Sequence, residues 1–112
     1  MSSRTSLAQL LDASAAAFPH QVAVEDPASN GTMTYAQLME QSDRLRDRLF
    51  HLGVRPRDRV GIWLTKSIDA VAAIFGVLKA GAAYVPVDPH APAARNVFIF
   101  GNGQVRAVVL EA

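Results

Sequence analysis

The sequence of 112 residues contains no cysteine, and this absence excludes several kinds of chemistry at once. Disulfide bonds, zinc sites built on thiolates and cysteine nucleophiles all require that side chain. Three histidines, His20, His51 and His90, are far apart, and none has metal-ligand spacing with another histidine or a carboxylate. No serine lies in a Gly-x-Ser-x-Gly elbow. These patterns give no support for a metal centre or a nucleophilic enzyme.

Clustered charge and long apolar runs are also missing. Eleven Lys and Arg residues nearly balance ten Asp and Glu residues, and both signs are scattered along the chain. Scattered charge argues against a nucleic-acid or membrane-surface patch. The longest apolar segment lies between Asp69 and Lys79 and is too short to span a membrane. Residues 1–5 lack the apolar core of a signal peptide. We therefore expect a cytoplasmic protein with no nucleic-acid and no membrane partner.

Capping residues and apolar spacing predict the elements of the first half. Ser6 and Gln9 form a capping box before a helix over about Leu7 to Ala17. A loose β-ribbon pairs residues 22–25 with residues 32–34 across the turn signal Asn30-Gly31. Thr34 and Gln37 form a second capping box, which opens a helix with a charged, solvated outer side. The apolar stripe of that helix consists of Leu38, Leu45, Leu49 and Leu52.

The second half alternates strands and helices. Residues 60–64 and 82–85 read as buried strands, and residues 107–110 as a third. Thr65 or Ser67 caps the helix between the first two strands, and Pro92 lies in the first turn of the next helix, which ends at residues 101–103. This order predicts an α/β fold. It is a partial, parallel, Rossmann-like β-α-β-α-β sheet, preceded by a helix and a short β-ribbon.

The helix that ends at Ala80 has no polar residue between Asp69 and Lys79. A helix that is apolar all round is normally buried all round. We expect this short chain to cover one face of the helix and a further surface to cover the other. The remaining core is predicted to include Met33 and Met39 and the aromatic residues Phe18, Trp63, Phe75 and Phe98.

The segment Leu78-Lys79-Ala80-Gly81-Ala82-Ala83-Tyr84-Val85-Pro86-Val87-Asp88-Pro89 predicts a helix end, a strand and a turn. Lys79 suits the negative end of the helix dipole, and Gly81 suits a position with positive φ. Pro86 and Pro89 are expected to end strand pairing. Asp88 lies at the carboxyl end of a predicted strand, where open α/β sheets bind ligands. We interpret it first as a turn residue that accepts backbone amides, with ligand binding as the alternative.

This segment resembles the LKAGxAYVPLDP motif of adenylate-forming enzymes, most closely the amino-acid-activating domains of nonribosomal peptide synthetases. Residues 33–38, Met-Thr-Tyr-Ala-Gln-Leu, resemble the family's LTYxEL motif, and residues 58–62, Asp-Arg-Val-Gly-Ile, resemble its GDRVGI strand. Arg57 stands where the family usually has glycine. The resemblance covers nearly the whole chain. It identifies residues 1–112 as the N-terminal part of an adenylation (AMP-binding) domain, which is incomplete.

The resemblance also implies which residues are missing. The family holds ATP phosphates with a Ser/Thr/Gly-rich loop ending in Pro-Lys-Gly, and it uses later motifs for AMP, magnesium and ribose. No stretch of this sequence matches them. Arg95 matches the arginine after the family's DPxxP segment, and we expect a tie to Asp88 or a strand-end carbonyl, or else an anion. Ala94 replaces the acid that usually precedes it. We assign no catalytic, cofactor-binding or metal-binding residue to this chain.

Two functions follow from these observations. In the first, the chain is the N-terminal segment of an ATP-dependent amino-acid or carboxylic-acid ligase and is inactive alone. It is then either half of a split enzyme, with a second chain carrying the phosphate loop, or a truncated remnant. The complete enzyme would use ATP and Mg²⁺ and pass its product to a carrier protein. In the second, the chain is a small non-catalytic α/β binding or interaction module, for which a homodimer would cover the apolar helix.

Overall fold

The computed structural model describes residues 7–65 and 67–110, and the elements there follow the predicted alternation of helices and strands. The capping box at Ser6 lies outside the described residues. The α/β fold with a preceding helix and ribbon is confirmed. In chain order the elements are α1 (Leu7–Ala17), β1 (Val22–Asp26), β2 (Gly31–Thr34), α2 (Tyr35–His51), β3 (Arg59–Trp63), α3 (Ile68–Lys79), β4 (Ala83–Pro86), α4 (Ala93–Asn102) and β5 (Ala107–Leu110).

The ribbon of β1 and β2 is antiparallel, and an aspartate organises its turn. The Asp26 carboxylate accepts hydrogen bonds from the Ala28 amide and the Ser29 hydroxyl, each at 3.0 Å. Asn30 has a φ of 55°, a conformation that asparagine adopts more readily than most residues. The connection is therefore the loose turn that Pro27 predicts.

Helix α2 begins at the predicted capping box. The Thr34 hydroxyl accepts the Gln37 amide at 3.2 Å, and Gln37 Oε1 accepts the Thr34 amide at 2.9 Å. Leu38 and Leu49 are buried, as the stripe predicts, whereas Leu52 is 71 % exposed. The prediction is wrong for Leu52 because this residue is the C-cap, where the chain has already left the helix.

Strand β3 is the centre of a three-stranded parallel sheet with the order β4-β3-β5. Pro86 pairs with Ile62, and the Val87 amide still donates to the Ile62 carbonyl at 3.1 Å. The expectation that Pro86 ends the pairing is therefore wrong. A proline is tolerated there for two reasons. Strand β4 is an edge strand among the described residues, and the backbone nitrogen of Pro86 faces away from β3, so no hydrogen bond of the sheet needs an N–H at this position.

Alternate residues of β3 contact helices on opposite faces of the sheet. Val60 and Ile62 belong to a buried cluster with Leu49 of α2 and Val77 of α3. Gly61 faces the other way, against Phe100 of α4. The connection through α3 joins the neighbouring strands β3 and β4, and the connection through α4 crosses β3 from β4 to β5. The two helices thus cover opposite faces, which is the arrangement of a doubly wound sheet.

The expectation that this chain covers only one face of α3 is wrong. From Ala70 onward, each residue of α3 is buried or half-buried. Helix α2 packs along α3, and α1 and the ribbon cover a further side through a second cluster that includes Leu11, Met33 and Ala72. The sequence predicts α1 and the ribbon as separate local elements, but both fold back over α3.

Two of the four aromatic residues predicted for the core are exposed instead. Phe98 is 71 % exposed and Phe18 is 52 % exposed, whereas Trp63 and Phe75 are half-buried. Helix α4 turns Asn96 and Phe100 toward the interior, and its 3.6-residue period places Phe98 on the opposite side. Phe18 lies beyond the end of α1. Both methionines follow the prediction, with Met33 buried and Met39 half-buried.

Capping residues define both ends of α3 and the start of α4. Ser67 caps α3, and Gly81 follows the helix with a φ of 77°, as predicted. Pro92 is the N-cap of α4 rather than a residue of its first turn, because its ψ of 137° is extended. In the described part of the chain, no helix is long and apolar enough to cross a membrane.

Candidate functional site

The carboxyl ends of β3, β4 and β5 meet at one edge of the sheet because the three strands are parallel. The chain leaves β3 toward one face and β4 toward the other, so this edge is a topological switch point. A crevice of about 420 Å³ opens there. We call it the switch-point crevice, and it is lined by Trp63, Thr65, Pro89, His90 and Leu110.

The lining of this crevice is mostly apolar. Trp63 is half-buried, and its ring lies 6.0 Å from the ring of Phe100 at an angle of 57°. His90 supplies one exposed imidazole and Thr65 one hydroxyl, and the lining residues within 7–65 and 67–110 include no carboxylate, lysine or arginine. Such a surface can stack against a flat group. Among the described lining residues, His90 is the one side chain that could serve in general acid–base catalysis.

Asp88 adopts the turn role that the sequence predicts. Its Oδ1 accepts the His90 amide at 2.8 Å, and its backbone carbonyl accepts the Ala91 amide at 3.1 Å. These bonds direct the chain from the end of β4 into α4. Asp88 therefore acts as a structural residue beside the crevice, and the carboxylate lies outside the lining.

Arg95 does not make the predicted tie. Its side chain is exposed, and no hydrogen bond or ion pair joins it to a residue that the structure describes. The reason is that α4 turns Asn96, the next residue, toward the turn. His20 and His51 are exposed at separate places, so the three histidines are not brought together.

Asn96 is the turn residue that sequence reasoning missed. It is fully buried, and its Nδ2 donates to the Asp88 carbonyl at 2.9 Å. Its Oδ1 is buried and accepts no hydrogen bond from the described residues. The sequence pattern that could have indicated this role is a polar residue in an otherwise apolar run, four positions after Pro92. Asn96 fixes the rotation of α4 about its axis and thereby decides which of its side chains face the sheet.

Lys79 is the second residue whose role the sequence did not disclose. Its side chain is 4 % exposed, and its ammonium lies 2.6 Å from Asp43 Oδ1 and 3.0 Å from Asp12 Oδ1. The lysine thus joins α3 to α2 and α1. It lies at the end of α3 that precedes β4, and the switch-point crevice lies beyond the other end of that strand. The lysine of the LKAG segment is a structural staple here.

The fold defines a doubly wound α/β protein, and comparison with known proteins identifies the family. A model of the family described as AMP-binding enzyme matches residues 11–112. The chain belongs to this family. It is 45% identical over 86 residues to phosphinothricin tripeptide synthetase PhsC of Streptomyces viridochromogenes, and 41% identical over 95 residues to syringomycin synthase SyrB1 of Pseudomonas syringae pv. syringae. It also superposes on the N-terminal domain of FACL13 from Mycobacterium tuberculosis with a TM-score of 0.86 and 27% identity.

The chain spans a small part of each of these proteins. The match to PhsC covers 77% of this chain and 8% of that protein, and the match to SyrB1 covers 85% and 15%. The superposition on FACL13 covers 96% of this chain and 27% of that structure. The named relatives therefore extend far beyond the region that they share with this chain.

Enzymes of this family generally use ATP and Mg²⁺, and the described residues do not fit either. No group of three or more His, Asp or Glu side chains that could hold a metal ion occurs within residues 7–65 and 67–110. Helix α3 begins beside the crevice, but Ser67 accepts its Ala70 amide and Asp69 lies in its first turn. A carboxylate there disfavours a phosphate.

Proposed function

We propose that residues 1–112 form the N-terminal part of a domain that activates an amino acid or carboxylic acid with ATP, and that this part is inactive alone. The observation that carries the proposal is the family match over residues 11–112, together with a crevice whose described lining residues include no carboxylate, lysine or arginine. Adenylation requires groups that stabilise phosphate charge. Those groups would come from a region that this sequence does not contain.

The region that supplies these groups would correspond to the part of the relatives that extends beyond the shared segment. The chain would be half of a split enzyme if a second polypeptide carried that region, and a remnant if the region had been lost. A complete enzyme would bind ATP and Mg²⁺ and deliver the activated acid to a carrier protein, as nonribosomal peptide synthetases do.

Pyrophosphate exchange tests this proposal. The chain alone should show no exchange with ATP and a panel of amino acids. A chimaera of SyrB1 in which this chain replaces the aligned region should show exchange. The matched control is the same chimaera carrying the aligned region of PhsC, which is 45% identical to this chain over 86 residues. Exchange by the chain alone, or a folded and inactive chimaera beside an active control, would overturn the proposal.

A non-catalytic interaction module is the second candidate. The observation that favours it is exposed apolar surface on α4 and β5, which includes Phe98 and Leu110. A homodimer would cover this surface. Light scattering and thermal unfolding decide between these two functions. A stable dimer of the isolated chain with a cooperative unfolding transition supports the interaction module. An aggregating chain supports an incomplete domain.

A further inference from the structure

We propose that the amino edge of the sheet binds an inorganic oligophosphate such as pyrophosphate, in a cleft built on arginine side chains. The amino ends of β3 and β5 meet there, at the opposite edge from the switch-point crevice. The cleft has a volume of about 560 Å³, and we call it the arginine cleft. The inference goes beyond the proposed function because it concerns the other edge of the sheet. The described lining residues are Arg57, Asp58, Arg59, Gln104, Val105 and Arg106.

The fold brings together charges that the sequence keeps apart. Arg57 and Arg59 lie at the start of β3, whereas Arg106 comes just before β5. The Arg106 amide donates to the Arg59 carbonyl at 2.8 Å, so these two residues are neighbours across the sheet. Like charges at neighbouring cross-strand positions repel each other. An anion that binds between the guanidinium groups would relieve this repulsion.

The one carboxylate of the described lining, Asp58, is already engaged. Its Oδ2 accepts the Arg55 amide at 2.7 Å and lies 3.7 Å from Arg106 Nε. On the other side of the cleft, Arg59 Nη1 donates to the Gly103 carbonyl at 3.0 Å. A guanidinium carries several N–H donors, so Arg59 and Arg106 can make these contacts and still donate to a ligand. The contacts therefore orient two cations at the cleft.

Backbone strain is concentrated at the same cleft. Within residues 7–65 and 67–110, Asn30, Arg57 and Gln104 are the non-glycine residues with positive φ, and the last two line the cleft at 75° and 54°. Arg57 follows Pro56 in a turn that the Asp58 amide closes on the Arg55 carbonyl at 3.0 Å. A turn with proline at its second position and positive φ at its third normally takes glycine at the third.

Arg57 therefore costs stability that a glycine would not cost. Its side chain is exposed, and no hydrogen bond or ion pair joins its guanidinium to a residue that the structure describes. The strain thus brings no contact within this part of the chain. Strained residues that make no structural contact of their own are typical of binding sites, where the ligand supplies the missing contact.

The chemistry of the lining selects the class of anion. Guanidinium groups bind phosphate oxygens through paired N–H donors. Three guanidinium groups and one carboxylate leave two net positive charges, which suit an anion with more than one phosphate group. The described lining has no aromatic ring on which a base could stack. The cleft therefore fits an inorganic oligophosphate better than a nucleotide or a nucleic acid.

Equilibrium dialysis of the 112-residue chain against radiolabelled pyrophosphate, at low salt and without divalent cations, tests the cleft. Arg57→Gly removes one guanidinium together with the strained side chain. Arg106→Gln removes a second guanidinium at a position whose φ is not positive. The matched control is Arg95→Ala, which removes an exposed arginine of α4 outside the cleft. Urea unfolding of each variant measures its stability.

We expect pyrophosphate to bind, and Arg57→Gly and Arg106→Gln each to weaken binding by about tenfold, the loss of one charge-assisted contact. Arg95→Ala should change the affinity by about twofold or less, because its charge is distant and screened. Arg57→Gly should also unfold at an equal or higher urea concentration, since the strain that it relieves offsets the entropy that glycine adds to the unfolded chain.

Three results would overturn the inference. The first is no binding of pyrophosphate to the chain. The second is equal weakening by Arg57→Gly and Arg95→Ala, which would show unspecific attraction to net charge. The third is a lower urea midpoint for Arg57→Gly, which would make Arg57 a structural residue. Tripolyphosphate and ATP test the choice of ligand, because equal affinities support recognition of phosphate alone. Much tighter binding of ATP or of a single-stranded oligonucleotide would contradict it.

Discussion

Phe100 of α4 occupies the space that a side chain at Gly61 of β3 would need. A Cβ atom at Gly61 would lie 2.5 Å from Phe100 Cε1, well inside normal contact distance. Both residues are buried, so a methyl group at Gly61 would require the Phe100 ring or the helix that carries it to shift. This pair therefore sets how closely α4 approaches β3.

The first prediction is that Gly61→Ala destabilises the chain by about 1–3 kcal/mol, because the added methyl group overpacks the contact with Phe100. Phe100→Leu in the same chain should restore part of the loss by making room. Gly101→Ala is the control, since a Cβ there meets nothing within 4 Å, and it should stabilise α4 by about 0.5–1 kcal/mol. Urea unfolding measures all three, and an unchanged midpoint for Gly61→Ala would contradict the contact.

Local signals in the sequence were sufficient for the elements, but not for their packing. Thr34, Gln37 and Gly81 reveal their roles because their partners lie within a few residues. Phe98 and Phe100 are two positions apart in one apolar run, and only the tie between Asn96 and Asp88 and the space above Gly61 decide which is buried. The covering of α3 likewise depends on contacts between distant parts of the chain.

The candidate site was predictable to the same extent. Asp88 forms its turn with the next few residues, so its structural role could be read from the sequence. The partners of Lys79 could not, because Asp43 lies 36 positions away and Asp12 lies on a separate helix. The crevice itself depends on the order β4-β3-β5, which no local pattern specifies.

The second prediction concerns the staple at Lys79. Asp43→Asn should destabilise the chain by about 1–3 kcal/mol, because it leaves a buried ammonium with the more exposed Asp12 as its remaining carboxylate partner. Arg44→Ala is the control. It removes the exposed pair with Glu40 and should change stability by about 0.5 kcal/mol or less. Equal effects of the two substitutions in thermal unfolding would show that the buried staple contributes no more than a surface pair.

The third prediction concerns the start of α2. Thr34→Ala removes the hydroxyl that caps the Gln37 amide and should cost about 0.5–2 kcal/mol. Thr34→Ser keeps a hydroxyl at the same place and should retain most of the stability. Thr32→Ala, on the exposed side of β2, controls for the loss of a threonine in the ribbon. Equal unfolding midpoints for Thr34→Ala and Thr34→Ser would show that the hydroxyl cap does not stabilise the chain.

The fourth prediction separates a structural from a chemical role of Asp88. Asn also offers an oxygen to the His90 amide, so Asp88→Asn should keep the turn, whereas Asp88→Ala should lose about 0.5–1.5 kcal/mol. In the SyrB1 chimaera, Asp88→Asn should therefore retain pyrophosphate exchange. If the charge of Asp88 served a ligand instead, Asp88→Asn would reduce exchange as strongly as Asp88→Ala while leaving the unfolding temperature unchanged. The exchange activity of Asp88→Asn relative to Asp88→Ala therefore decides whether the turn beside the crevice only positions α4 or also takes part in binding.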